Sequence, residues 1–201
     1  GKTTATARTH AVLRGGGVDA GLVLGGIDIA VGTNAHDGAA PWFVTEADES
    51  DGSFALLDPA IAVVTNVEND HLASDDDLPQ WSGMFGEFLE KLPDDGLAIV
   101  GVDNANSAAL ASAPRRARTV TFGLMPQAQI FASNVRFAEL GSTFDAIAGG
   151  ICLGSVSLRV PGLINVQNAL AAIAVAREVG VPFAKMAHAL RDFRGVRRRF
   201  D

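Results

Sequence analysis

The chain has 201 residues with 48% hydrophobic content, enough to bury a substantial core as one domain. Its formal net charge of −7 and pI of about 5.0 argue against a general nucleic-acid binder. The single cysteine, Cys152, excludes an internal disulfide framework and fits a reducing compartment. No run approaches the ~20 apolar residues of a membrane-spanning helix, and no signal-peptide pattern opens the chain. The expected class is a soluble, cytoplasmic α/β protein without a membrane or nucleic-acid partner.

Gly1-Lys2-Thr3-Thr4 reads as the second half of a phosphate-binding loop, G-x-x-x-x-G-K-[ST]. In that motif backbone N–H groups close around phosphates, the Lys reaches the outer phosphates and the following hydroxyl ligates Mg²⁺. The Ala-, Thr- and Leu-rich stretch Thr3–Arg14 suits a helix whose positive end faces an anion. With the motif at residue 1, the chain is expected to be a fragment of a longer protein.

Short apolar runs at Gly21–Gly25, Trp42–Glu46, Ile61–Asn66, Leu97–Val102 and Thr119–Gly123 suit buried parallel strands. Helical patterns at Thr3–Leu13, Pro79–Leu92 and Asn104–Ala111 alternate with them. This rhythm predicts a mostly parallel sheet flanked by helices, with ligands beyond the strands' carboxyl ends. The rhythm then changes. Gln129–Glu139, Ser142–Ala148 and Cys152–Val160 read as three consecutive strands turned at Leu140-Gly141 and Gly149-Gly150. Residues 129–160 are therefore expected to form a small appended antiparallel sheet. Helices over Val166–Val179 and Phe183–Phe193 close the pattern, the first ending at Gly180.

Chemistry concentrates where the strand-end rule puts it. Glu46-Ala47-Asp48-Glu49-Ser50-Asp51 crowds four carboxylates behind an apolar strand, as a hard cation or a solvated acidic turn would require. Beside a phosphate loop, an acid there complements the loop hydroxyl around Mg²⁺. His71, in Thr65-Asn66-Val67-Glu68-Asn69-Asp70-His71, follows the next strand and is read as functional. His10 and His188 fall on helical stretches and are read as structural, and Asp75-Asp76-Asp77 as a solvated loop. Gly32-Thr33-Asn34-Ala35-His36 is a polar loop that could hold a ligand oxygen or be an ordinary turn. Asn165 and Asn168, spaced i and i+3, could cap a helix or read a purine edge. Arg197-Arg198-Arg199 could neutralise phosphate or remain a surface cluster.

Taken together, Gly1–Thr4, Glu46–Phe54, Thr65–His71, Pro161–Ala171 and Phe193–Asp201 resemble the Mur ligases, ATP-dependent amide-forming enzymes of peptidoglycan precursor synthesis. The acidic hexapeptide and Asn34-Ala35-His36 are most similar to family members that join L-alanine to UDP-N-acetylmuramate. The alternatives are a recycling or later-step ligase, an ATP-binding switch without ligase activity, and a non-catalytic remnant. The resemblance implies that residues 1–201 are the central ATPase domain, truncated at the phosphate loop. A UDP-sugar-binding domain before it and an amino-acid-binding domain after it would be absent, leaving the isolated fragment inactive.

Carried over residue by residue, the resemblance assigns ATP to Gly1, Lys2, Thr3, Thr4, Asn165, Asn168 and Arg199. Lys2 would hold the β- and γ-phosphates and Arg199 the γ-phosphate. Thr3 and Glu46 would ligate one Mg²⁺ and His71 a second, so that Lys2, Glu46, His71 and Arg199 form the catalytic set. Asn34, His36 and Glu49 would line the muramoyl end of the substrate. Ile164 stands where the family has histidine before its adenine-side helix.

Overall fold

The computed structural model describes residues 1–47, 56–67 and 78–197. Helix α1 (Lys2–Gly15) leads into β1 (Gly21–Val23), β2 (Ile27–Asp28), β3 (Ala35–His36) and β4 (Phe43–Thr45). Next come β5 (Ile61–Val64), α2 (Leu78–Glu90), β6 (Leu97–Gly101), α3 (Ala105–Ser112) and β7 (Arg118–Gly123). Three long strands follow, β8 (Ile130–Ala138), β9 (Gly141–Ala148) and β10 (Ile151–Leu158). Helices α4 (Leu163–Glu178) and α5 (Phe183–Asp192) precede a last short strand, β11 (Val196–Arg197).

The strands form a six-stranded sheet ordered β10-β9-β8-β7-β6-β5, a three-stranded sheet ordered β3-β1-β4, and the pair β11-β2. From β5 to β8 the neighbours run parallel, and from β8 to β10 antiparallel. The antiparallel part forms as the sequence predicts and is continuous with the parallel part through Phe122 opposite Ile130. Its β9–β10 turn uses Gly149 (φ 57°) and Gly150 (φ 79°), the left-handed pair that a two-residue hairpin requires.

Strand β6 is buried throughout, and its alternation assigns two faces. Leu97 and Ile99 join the core cluster that includes Val166, Leu170 and Ile173 of α4. Ala98 and Val100 join the cluster of Phe88 and Leu89 from α2 and Leu110 from α3. Helices therefore cover both faces, as an all-apolar parallel strand demands. Helix α4 is apolar on nearly every side from Val166 to Ala176 because it lies between the sheet and helices α1 and α5. It ends on Gly180 (φ 87°), whose N–H bonds Arg177 O while Val181 N–H bonds Ala176 O. At its other end Gly162 (φ 108°) is the cap. The helix thus begins three residues before the predicted Val166, and neither Asn165 nor Asn168 caps it.

The two larger sheets leave a slot between them. Among the described residues strand β4 pairs only with β1, and β5 only with β6. The segments Pro41–Ala47 and Leu57–Val67 both line a cleft of about 1140 Å³. One wall carries Lys2, Ala5, Thr6, Thr9 and Leu13 of α1, the other Phe85 and Phe88 of α2. Among the described residues no strand lies between β4 and β5.

Candidate nucleotide site at the strand carboxyl ends

Helix α1 starts on Gly1 with no side chain capping it and no acid in its first turn. Gly1 and Lys2 line the cleft, so the N-terminal turn of the helix, with its unpaired N–H groups and positive dipole end, borders it. Thr4 lies in the same turn. Thr3 Oγ1 donates a hydrogen bond to Glu46 Oε1 at 3.0 Å, joining residues 43 positions apart across the end of β4. Glu46 Oε2 accepts from Gly25 N at 3.4 Å. A methyl on Gly25 would sit 3.3 Å from that oxygen, so the backbone beyond β1 closes tightly on the carboxylate.

This arrangement passes a chemical test for a hard divalent cation. A hydroxyl and a carboxylate oxygen already face each other, both suited to Mg²⁺ and both near the protein surface, where water completes its shell. Among the described residues no cluster of three His, Cys, Asp or Glu side chains exists.

The C-terminal strand reaches the same place. A Cβ on Gly26 would meet Val196 Cγ1 at 2.8 Å and Arg197 O at 3.0 Å, with Thr3 Cγ2 at 3.6 Å. Glycine is required because β11 docks directly on this turn, and it sets Arg197 beside the head of α1. Thr65, Asn66 and Val67, which follow β5, also line the cleft. Asn104 Nδ2 and Asn106 Nδ2 both donate to Val67 O, at 3.1 and 3.3 Å. His71, Arg199 and Glu49 lie outside the described residues.

The purine-side expectation divides. Asn168, 3% exposed, lines the cleft together with Ile164 and Gln167. Asn165 faces away from it: Nδ2 donates to Pro161 O at 2.9 Å, and Oδ1 accepts from Arg8 Nη2 at 3.3 Å. Asn34 and His36 do not line the cleft. His36 Nε2 pairs with Asp19 Oδ1 at 2.8 Å and its ring meets His10 edge-on. That hydrogen bond, with a second from Ala39 N–H, holds the Asp19 carboxyl below its ordinary range.

Two residues in and around the cleft, Asp103 and Arg8, were not singled out in the sequence. Asp103 sits beyond the carboxyl end of β6, where Oδ1 accepts from Leu124 N at 2.8 Å and Oδ2 from Gln167 Nε2 at 2.6 Å. It ties the ends of β6 and β7 to α4. The strand-end rule that selected Glu46 would have found Asp103-Asn104 had it been applied to β6. Ile164, 64% exposed, presents an apolar surface at the rim. Arg8 carried no local signal; it is one cation within a helix.

Known proteins resemble this chain in sequence and in fold. Residues 1–176 match the Mur ligase middle domain. Over 201 residues the chain is 46% identical to the UDP-N-acetylmuramate–L-alanine ligase of Syntrophotalea carbinolica, covering all of this chain and 44% of that protein. It is 43% identical over 205 residues to the ligase of the same name from Phenylobacterium zucineum, covering 43% of it. The chain spans less than half the length of these curated relatives. Among solved structures, the UDP-N-acetylmuramate–alanine ligase of Thermotoga maritima superposes with a TM-score of 0.82 at 29% identity. That match covers all of this chain and 44% of that one. The UDP-N-acetylmuramate:L-alanyl-γ-D-glutamyl-meso-diaminopimelate ligase of Neisseria meningitides gives 0.87 at 28% identity, covering 98% and 64%. On the match to the middle-domain model and on these relatives, the chain belongs to the Mur ligase family.

Proposed function

We propose that this chain is the central ATP-binding domain of a cytoplasmic ligase that joins L-alanine to UDP-N-acetylmuramate. The observation that carries the reading is the Thr3–Glu46 hydrogen bond at the head of α1. It brings together the loop hydroxyl and the strand-end acid that a Mg²⁺-nucleotide site needs. The identity of 46% to a relative bearing that name supports the choice of substrates. The domain arrangement is part of the proposal, with a UDP-sugar domain before this one and an amino-acid domain after it. The segment ahead of Gly1 would supply a parallel strand between β4 and β5 and the first half of the phosphate loop. The slot between those strands supports this placement.

A carboxylate does not condense with an amine in water because its carbonyl carbon is a poor electrophile. In the proposed reaction a carboxylate oxygen of UDP-N-acetylmuramate bonds to the γ-phosphorus of ATP, and the bond from that phosphorus to ADP breaks. The amine of L-alanine then attacks the carbonyl carbon of the acyl phosphate. Inorganic phosphate leaves with the C–O electron pair, and the amine loses a proton. The domain's own task is positioning and charge neutralisation. Lys2 and the first-turn N–H groups of α1 would hold the β- and γ-phosphates, with Arg199 on the γ-phosphate. Asn168 would contact adenine, while Asn165, turned away from the cleft and held by Arg8, would set the first turn of α4. Thr3 and Glu46 would hold one Mg²⁺ and His71 a second, supplying positive charge between the phosphates and the incoming carboxylate. Asn34, His36 and Glu49 remain the candidates for the muramoyl end.

The full-length protein is expected to form ADP only when UDP-N-acetylmuramate is supplied, and to turn over repeatedly only when L-alanine is supplied as well. ADP release without UDP-N-acetylmuramate would indicate a nucleotide switch. The likeness to the Neisseria ligase favours one competing acceptor, the tripeptide in that protein's name. Supplying it in place of L-alanine decides between the two, and turnover with the tripeptide alone would overturn the L-alanine assignment.

A further inference from the structure

Arg8 is 1% exposed, among the largest fully buried side chains of the domain. Nη1 donates to Asn165 O at 2.6 Å and Nη2 to Asn165 Oδ1 at 3.3 Å. Its Cζ lies 5.0 Å from the centre of the Phe193 ring. No carboxylate pairs with it among the described residues, and Nε is buried without a partner. Burial pulls its pKa down to about 10, so it remains a cation at neutral pH and the cost of desolvating it persists. Its position adds to that cost, because the first turn of α4 is the positive end of that helix. If filling space were the only requirement, Leu or Met would pack among these helices without either penalty.

What the guanidinium gains is geometry. Its planar fork grips both the main-chain and the side-chain oxygen of one residue, which an ammonium or an apolar side chain cannot do. That residue, Asn165, follows Ile164 directly and precedes Asn168 by one turn, and both of those line the cleft. Phe193 is the residue on which α5 ends, three before β11 docks at Gly26. We propose that Arg8 is a positioning residue for nucleotide binding, locking the first turn of α4 to the phosphate-side helix α1 and to the segment leaving α5. The proposal rests on the nucleotide reading above and adds the residue that sets where Ile164 and Asn168 stand.

The test uses the full-length enzyme with Arg8→Met, which keeps the stem, Arg8→Lys, which keeps the charge without the fork, and Asn168→Ala. KM for ATP, KM for the amino acid, kcat and Tm are measured for each, with assays run well below the melting transition. Both Arg8 variants are expected to raise KM for ATP by about 10-fold, with kcat within threefold and KM for the amino acid unchanged. Adding Arg8→Met to Asn168→Ala should then raise KM for ATP by less than twofold, since both act on one contact. Arg8 variants with a lowered Tm and wild-type KM for ATP would reduce Arg8 to packing and overturn the proposal. Should Arg8→Met not fold, Arg8→Lys carries the same comparison. If Asn168→Ala leaves KM for ATP unchanged, the site reading fails. If only the Arg8 variants leave it unchanged, the Arg8 assignment alone fails.

Discussion

Replacing Glu46 with Gln separates the charge of this residue from its shape. The amide oxygen can still accept the 3.0 Å hydrogen bond from Thr3. The long contact to Gly25 N is exposed and contributes little, so stability should change by less than about 0.5 kcal/mol. The negative charge facing a bound cation is what disappears. A carboxylate and a divalent cation 4 Å apart interact by about 8 kcal/mol at an effective dielectric near 20 and about 2 kcal/mol in bulk water. Glu46 is only half-buried, and solvent screening lowers this to ~2 kcal/mol, about 30-fold in cation affinity. The assay is a Mg²⁺ titration of ADP release by the full-length enzyme at saturating ATP, with a thermal melt as the control for folding. A half-saturating Mg²⁺ concentration within twofold of wild type, in a protein with normal Tm, would refute the assignment of Glu46 to the cation.

Further outcomes follow from the same geometry. Lys2→Ala in the full-length enzyme should lower kcat by about 10²–10³ with an unchanged melt; near-normal turnover would remove Lys2 from the phosphates. Gly101→Ala should cost about 1–3 kcal/mol or more in urea unfolding, because the added methyl falls 2.3 Å from Thr65 O, backbone that cannot swing aside. A shift below about 0.5 kcal/mol would mean that β5 and β6 are further apart than described. Stability should also fall on acidification. Burial lowers the pKa of His10 beneath its ordinary 6.5, so the unfolded chain binds a proton first as pH drops. His10 therefore contributes stability that is full above about 6.5 and declines below it. His10→Gln should flatten the urea midpoint between pH 8 and pH 5, and equal slopes in the two proteins would count against a neutral buried His10. The depressed Asp19 carboxyl acts in a lower window, below its ordinary 3.8, and does not confuse that comparison.

Much of this was readable along the chain because the signals are local. The run Leu97–Val102 announced a buried strand, since a central parallel strand must be apolar on both faces. Gly149-Gly150 and Gly180 marked turns that only positive φ can make. Lys2, Thr3 and Glu46 were read as chemistry because a short phosphate-loop match, weak alone, is followed by acids at a strand end, where ligands gather in such sheets. The two-residue strands β2, β3 and β11 are too short to show a period and went unread. Asn165 was legible as a polar residue at a helix start but not in its orientation, which its neighbours in space decide.

The sequence by itself determined the alternation of strands and helices and the chemical character of the strand ends, because backbone propensity, turn chemistry and charge act within a few residues. Only the tertiary structure decided that Thr3 meets Glu46, that β4 and β5 border one slot, and that Arg8 grips Asn165 157 positions away. Those contacts join residues far apart in the chain. Their partners are chosen by how helices and sheets pack to bury apolar surface, and no local pattern records that choice.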